Sequence, residues 1–243
     1  MQLSQVRTEG NFKLLLLSDP GIGKTVFGTS LPGKTLVLDF DGKIDSAALF
    51  WRKYNPERLE LIEVEQLAAG LELTPIQQLE KIMRDRLIPE QRTGKMSFDT
   101  LLVDSITTFS AACLAHIVRT NPGIKRTASA QGTQPGLQDY GILKREFQRV
   151  IPGLLGLPCN VIMLAHIATE KDEMTGQILR HSNMDGSFAK ELPIYFKEVW
   201  RAFVKDGVRY AQTQSDGQYN CRSQIPGLPN PVRLDYSEIA RFL

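Results

Sequence analysis

Ser18-Asp19-Pro20-Gly21-Ile22-Gly23-Lys24-Thr25 stands between two segments of opposite character. Before it, Phe12 to Leu17 is a compact apolar run with one lysine, too short for a helix, and reads as a buried strand closed by the turn Asp19-Pro20-Gly21. After it, a helix is expected to start near Lys24. The junction follows the spacing G-x-x-x-x-G-K-[ST], with Ser18 in place of the first glycine. Glycines there permit a tight backbone in which the N–H groups of Gly21 to Thr25 converge on phosphate oxygens, and the start of the helix adds positive potential.

Beyond this junction, apolar runs alternate with helical patterns. Thr35 to Phe40 reads as a second strand, and Leu59, Leu61 and Ile62 to Val64 as a weaker third. Thr74-Pro75 opens a helix whose apolar face, Ile76, Leu79, Met83 and Leu87, runs until Pro89. Phe98 to Val103 is the next strand, with Ile106, Phe109, Cys113, Leu114 and Ile117 forming a helix behind it. Thr120 to Gln138 carries neither period and is long for a structureless connection. Tyr140, Leu143, Phe147 and Val150 begin another helix, Val161 to Ala165 is a further strand, and Thr169 to Ser187 is again polar. Val199 to Val204, Val208 to Thr213 and Tyr219 to Ser223 are separated by Lys205-Asp206-Gly207 and Ser215-Asp216-Gly217, which are hairpin signals.

The expected fold is therefore α/β: a mostly parallel central sheet flanked by helices, closed by a C-terminal antiparallel hairpin extension. No internal repeat or linker interrupts it, so residues 12–243 read as one domain behind a tail over residues 1–11, a candidate oligomerisation arm. Composition agrees. The chain has 243 residues, 42% hydrophobic and 23% charged, close to the globular average and enough to bury a core. Its 29 basic and 27 acidic residues leave a formal charge of +2, so any anion-binding surface must be local. Cys113, Cys159 and Cys221 form no CxxC pair, which argues against a disulfide framework or a zinc site. Neither a signal peptide nor a long apolar run occurs, so a cytoplasmic protein without a membrane partner is expected.

Three further strands end in polar groups at the edge where open α/β sheets hold ligands. Asp104 ends Thr100 to Val103; it is either a Mg²⁺ ligand or a cap for the helix at Ile106, with Ser105 available for the capping role. Asp39 and Asp41 bracket Phe40, on one face by the period of two. One of them could activate a water, or both are acids of a turn. His166 ends Val161 to Ala165, where a γ-phosphate sensor or a structural histidine would sit.

These motifs resemble the RecA-like core of P-loop ATPases. The phosphate loop resembles its Walker A, Leu101-Leu102-Val103-Asp104-Ser105 its Walker B, Leu38-Asp39-Phe40-Asp41 its strand ending in the catalytic acid, and Met163-Leu164-Ala165-His166 its sensor strand. On a chain short enough to lack a separate N-terminal domain, Leu137-Gln138-Asp139-Tyr140-Gly141 and the segment Leu192-Pro193 to Trp200-Arg201 are similar to phage-type AAA-domain ATP-binding proteins. Those include core-only single-strand annealing proteins of phage recombination.

The resemblance implies ATP and Mg²⁺ as ligands. Ser18, Asp19, Pro20, Gly21, Ile22, Gly23, Lys24, Thr25 and Val26 would contact nucleotide, Thr25 and Asp104 the Mg²⁺, and Lys24, Asp41, Asp104 and His166 would serve the reaction. Asp41 falls where the family has a glutamate one methylene longer, and His166 where it usually has Gln or Asn. The resemblance also implies a homo-oligomer, ring or filament, whose two loop regions hold single-stranded DNA, and an additional phage or host single-stranded-DNA-binding protein as partner. Residues 105–138 contain no acid but carry Arg119, Lys125 and Arg126, and Arg180 lies in the second region. A neighbouring subunit would complete the site with Arg222 or, as second choice, Arg201. Trp51 and Tyr54 are candidates to stack on adenine, and both also fit core or surface roles. A nucleotide-gated interaction factor such as a helicase loader, or a P-loop kinase acting on a small molecule, are the alternative functions.

Overall fold

The computed structural model describes residues 10–67, 73–126, 128–129, 132–171, 173, 176 and 178–243. The candidate arm at 1–11 lies almost wholly outside these residues. In chain order the elements are β1 (Lys13–Ser18), α1 (Lys24–Gly28), β2 (Thr35–Asp39), α2 (Asp45–Tyr54), β3 (Ile62–Gln66), α3 (Pro75–Ile82), α4 (Ile88–Thr93), β4 (Thr100–Asp104) and α5 (Ile106–Thr120). Two short strands, β5 (Ala128–Ser129) and β6 (Gly132–Thr133), precede α6 (Leu137–Leu155). Then come β7 (Asn160–Lys171), β8 (Ile178–Ser182), α7 (Phe188–Glu191), β9 (Glu198–Lys205), β10 (Val208–Gln212), β11 (Val232–Arg233) and α8 (Tyr236–Ile239).

The main sheet runs β11-β10-β9-β1-β7-β4-β2-β3, with β8 paired to β7. Pairs from β3 through β9 are parallel, and β10 and β11 continue antiparallel. This is the expected α/β arrangement, a mostly parallel central sheet with a C-terminal antiparallel extension. Period two divides the core in two. Leu15, Leu17, Leu36, Leu38, Leu101 and Val103 face α3, α5 and α6 across one side of the sheet. Leu14, Leu16, Val37, Leu102, Ile162 and Leu164 face the other side, with Phe27 of α1, Trp200 and Val232. Leucines on both faces of one strand explain why β1 reads as an unbroken apolar run.

Register places the chemistry. Ser18 is level with His166, and Asp39 with Asp104, so the ends of β1, β7, β2 and β4 meet along one sheet edge. The strand carrying His166 lies between the phosphate-loop strand and the strand carrying Asp104.

Four local expectations are corrected. Leu59 and Leu61 belong to a 3₁₀ turn over Pro56–Leu61, and β3 begins only at Ile62; Pro56 fits the first turn of such a helix, where its missing N–H costs nothing. The helix opened by Thr74 does not stop at Pro89, because a π turn over Met83–Leu87 precedes α4 and shifts the hydrogen-bond register just where proline lacks a donor. Thr169 to Ser187 is not simply a loop: β7 runs on to Lys171 and pairs antiparallel with β8, Ile167 opposite Ser182. Among the described residues Tyr219 to Ser223 makes single bridges, Tyr219 with Arg180 and Arg222 with Val199, and the strand that pairs with β10 on its far side from β9 is β11.

Candidate functional site

Gly21 and Gly23 have φ of +77° and +93°, conformations that residues with a Cβ rarely adopt, so the loop's shape requires these two glycines. The loop turns Lys24 back into the fold, where only 6% of it is exposed. Its ammonium donates to Ser18 Oγ at 2.8 Å, Asp19 O at 3.1 Å and Ser18 O at 3.2 Å. Serine in place of the first glycine thus supplies the lysine with a hydroxyl partner, which the motif alone does not reveal. Burial lowers the Lys24 pKa to about 8 against the opposing pull of Asp104, Asp41 and Asp19.

Thr25 Oγ1 donates to Asp104 Oδ2 at 2.6 Å. Asp104 is 7% exposed. Burial pushes its pKa up to about 6; the hydrogen bond from Thr25 opposes this, and the nearby Asp41 and Asp39 carboxylates add to it. A hydroxyl and a carboxylate are hard oxygen donors, and a divalent cation would offset both the burial and the neighbouring carboxylates that raise the Asp104 pKa. The pair therefore fits Mg²⁺.

Asp39 and Asp41 are separated by their surroundings. Asp39 is 1% exposed; its Oδ1 accepts from the Gly42 N–H, and its Oδ2 finds no hydrogen-bond donor among the described residues. Asp41 is less buried and reaches the edge, where Ser105 Oγ donates to its Oδ1 at 2.9 Å and His166 Nε2 lies 3.8 Å from its Oδ2. Ser105 is also the N-cap of α5, accepting from the Thr108 N–H. The acid that meets His166 at the sheet edge is therefore Asp41, fixed by a residue that the sequence offered only as a cap.

His166 connects the two charged groups. Its Nδ1 lies 3.4 Å from Lys24 Nζ. A protonated lysine can only donate, so Nδ1 accepts and the ring proton sits on Nε2, facing Asp41. Burial lowers the His166 pKa, Lys24 lowers it further, and Asp41 opposes both. The imidazole is accordingly neutral at pH 7. Thr107 Oγ1 accepts the His166 backbone N–H at 3.0 Å and fixes the strand end.

The remaining sequence candidates lie apart from this constellation. Arg119, on α5, and Lys125 are exposed. Arg126 is turned inward: its side chain is 5% exposed and grips the fully buried Asp139 through Nε at 2.8 Å and Nη2 at 2.6 Å. The acid-free stretch ends one residue before its own counter-charge. Arg222 donates to the carbonyls of Phe196 and Pro193, closing the turn after α7. Arg201 and Arg180 come together on one ring, with guanidinium carbons 4.1 and 5.1 Å from the centroid of Tyr219. Trp51 donates to Thr29 Oγ1 at 2.8 Å behind α1, and Tyr54 is exposed against Phe50. No local motif marks Arg209, which the β9–β10 hairpin brings over Gly23: a Cβ on that glycine would meet Arg209 Nε at 2.9 Å.

No helix among the described residues is long and apolar enough to cross a membrane. Residues 10–223 match the model of a family described as AAA domain. No curated protein matches the chain. Among solved structures the chain is similar to one described as "Crystal structure of the RadB recombinase", at 16% identity and a TM-score of 0.44, over 90% of this chain and 86% of that one.

Proposed function

The chain belongs to the AAA-domain family, and from that premise we propose that it binds ATP with Mg²⁺, hydrolyses it, and uses the cycle to bind single-stranded DNA in phage recombination, by annealing or by RecA-like strand pairing. The observation that carries the reading is the convergence of Lys24, Thr25, Asp104, Asp41 and His166 on one sheet edge, each held by a named partner.

In this reading Lys24 exchanges the oxygens of Ser18 and Asp19 for those of the β- and γ-phosphates. Thr25 and Asp104 would hold the Mg²⁺, which when bound would supply positive charge to offset that of the phosphates. Asp41, kept in place by Ser105, takes the proton of the attacking water at Oδ2, and Nε2–H of His166 faces that same oxygen. His166 thereby relates the state of Lys24 to the state of the base, which suits a γ-phosphate sensor. Arg119 and Lys125 supply charge to a nucleic-acid backbone, and Arg201 remains the candidate for action on a neighbouring subunit of a homo-oligomer.

ATP hydrolysis measured with and without single-stranded DNA tests the reading. Stimulation that disappears with Lys24→Ala is expected; hydrolysis indifferent to DNA would turn the assignment toward a nucleotide-gated protein-interaction factor such as a helicase loader. One feature favours that second reading: Arg126 is bound to Asp139, while Leu137 beside it is 92% exposed.

A further inference from the structure

The hairpin of β9 and β10 turns through Asp206 and Gly207, with φ of +52° and +76°. Two positive φ values in a two-residue connection make the tight turn whose twist matches paired strands, and it fixes their register: Arg209 opposite Val204, Gln212 opposite Arg201. β9 is itself hydrogen-bonded to β1, and Leu234 N–H donates to Arg209 O from beyond β11. Arg209 therefore cannot slip by one residue, which would turn it to the opposite face of the sheet. With Ala211 in the core on the α1 side, Arg209 stands two residues away on that same face, over the phosphate loop.

Its side chain lies along Gly23, with Nε, Cδ and Cζ 2.9 to 3.2 Å from where a Cβ would be. Among the described residues its guanidinium has no carboxylate partner and no hydrogen bond, unlike Arg126, Arg222 or Arg58. Arg209 is exposed, so this unpaired cation stands in solvent over the loop whose next residue is Lys24. A guanidinium left unpaired over a phosphate loop is placed to meet an anion bound there through charge-assisted hydrogen bonds.

We infer that Arg209 is a phosphate-contacting residue acting within its own subunit, binding the polyphosphate of the nucleotide from the side opposite Lys24. The inference rests on the nucleotide-binding reading above and adds to it a cation that no motif carries. The guanidinium presents a planar fork to phosphate oxygens, so lysine at the same position would restore charge without the two-point geometry.

The test is equilibrium binding of Mg-ATP and of inorganic tripolyphosphate to the full chain at two salt concentrations. It compares the wild type with Arg209→Ala, Arg209→Lys and Arg233→Ala, the last an exposed arginine on the neighbouring strand. Arg209→Ala is expected to weaken both ligands by about tenfold or more, the usual effect of losing a charged hydrogen bond, with less salt dependence remaining. Arg209→Lys is expected to recover part of the affinity and Arg233→Ala to match the wild type. A loss for ATP but not for tripolyphosphate would place Arg209 on the base and overturn the assignment, as would wild-type affinity in Arg209→Ala. Failure of the wild type to bind either ligand would instead refute the nucleotide reading itself. Thermal melting of each variant separates these outcomes from misfolding.

Discussion

Thr25 Oγ1 donates to Asp104 Oδ2 across 2.6 Å, joining the phosphate loop to the end of β4. The hydroxyl partly compensates a carboxylate that is otherwise costly. Between the ordinary value of 3.8 and about 6, the folded chain holds a proton on Asp104 that the unfolded chain releases. Stability of the ligand-free protein therefore falls as pH rises through that window, and the penalty is complete above it. Asp104→Asn is expected to raise the stability of the ligand-free protein at pH 7.5 by on the order of 1–3 kcal/mol, with the gain vanishing near pH 4. The same change should remove Mg²⁺-dependent ATP affinity. Thermal melts across pH, paired with calorimetric titration of Mg-ATP, check both halves; a destabilised variant at pH 7.5 would contradict the first.

Lys24 has the opposite charge and a separate window. Burial brings its pKa down to about 8, so in the ligand-free protein its ammonium is lost as pH rises from 7 to 9. ATP affinity is expected to fall over that range in the wild type. Lys24→Ala should bind no ATP at any pH and melt no lower than the wild type, because it removes a buried cation together with its hydrogen bonds. Retained affinity in that variant would mean that the loop does not hold the phosphates.

Ser105 has two roles that one substitution removes together. It caps α5 and it donates to Asp41. Ser105→Ala is expected to cost about 1 kcal/mol of stability as a lost cap. It should also slow hydrolysis without changing ATP affinity, as Asp41 loses its orienting bond. Asp41→Asn removes the base itself and should lower kcat by about 10²- to 10⁴-fold at unchanged melting temperature. Single-turnover hydrolysis beside nucleotide titration separates the two effects, and normal turnover in Asp41→Asn would move the base role to another group.

The parallel core was legible because β1, β2, β4 and β7 are covered on both faces and so appear as unbroken apolar runs. Their polar ends were legible for the same reason: the first polar residue after each run emerges at the sheet edge. What escaped the sequence depends on pairing across the chain. Asp39 and Asp41 have the same residue type and the same face, and only tertiary packing buries one beside Gly42 while offering the other to Ser105 and His166. Arg209 reaches Gly23 across the whole fold, with no local period to mark it. Arg126 reads as one of the loop's bases in the sequence because its partner lies 13 residues on, in the first turn of α6.

That pairing separates the three loop bases experimentally. Arg126 and Asp139 are buried together, Asp139 also accepts from the Gly136 N–H, and Arg126 holds the Asp139 pKa below its ordinary value. Removing either partner leaves the other charge without compensation, so Arg126→Ala and Asp139→Ala should each lower the melting temperature, and the double variant by less than the sum of the two. Arg119→Ala and Lys125→Ala, both exposed, should leave the melting temperature unchanged. If they meet a single-stranded backbone, each should lower DNA affinity and reduce the slope of log affinity against log salt by about 0.7, one released counterion per contact. DNA affinity that follows Arg126 alone, at an unchanged melting temperature, would show that the buried pair opens to meet nucleic acid.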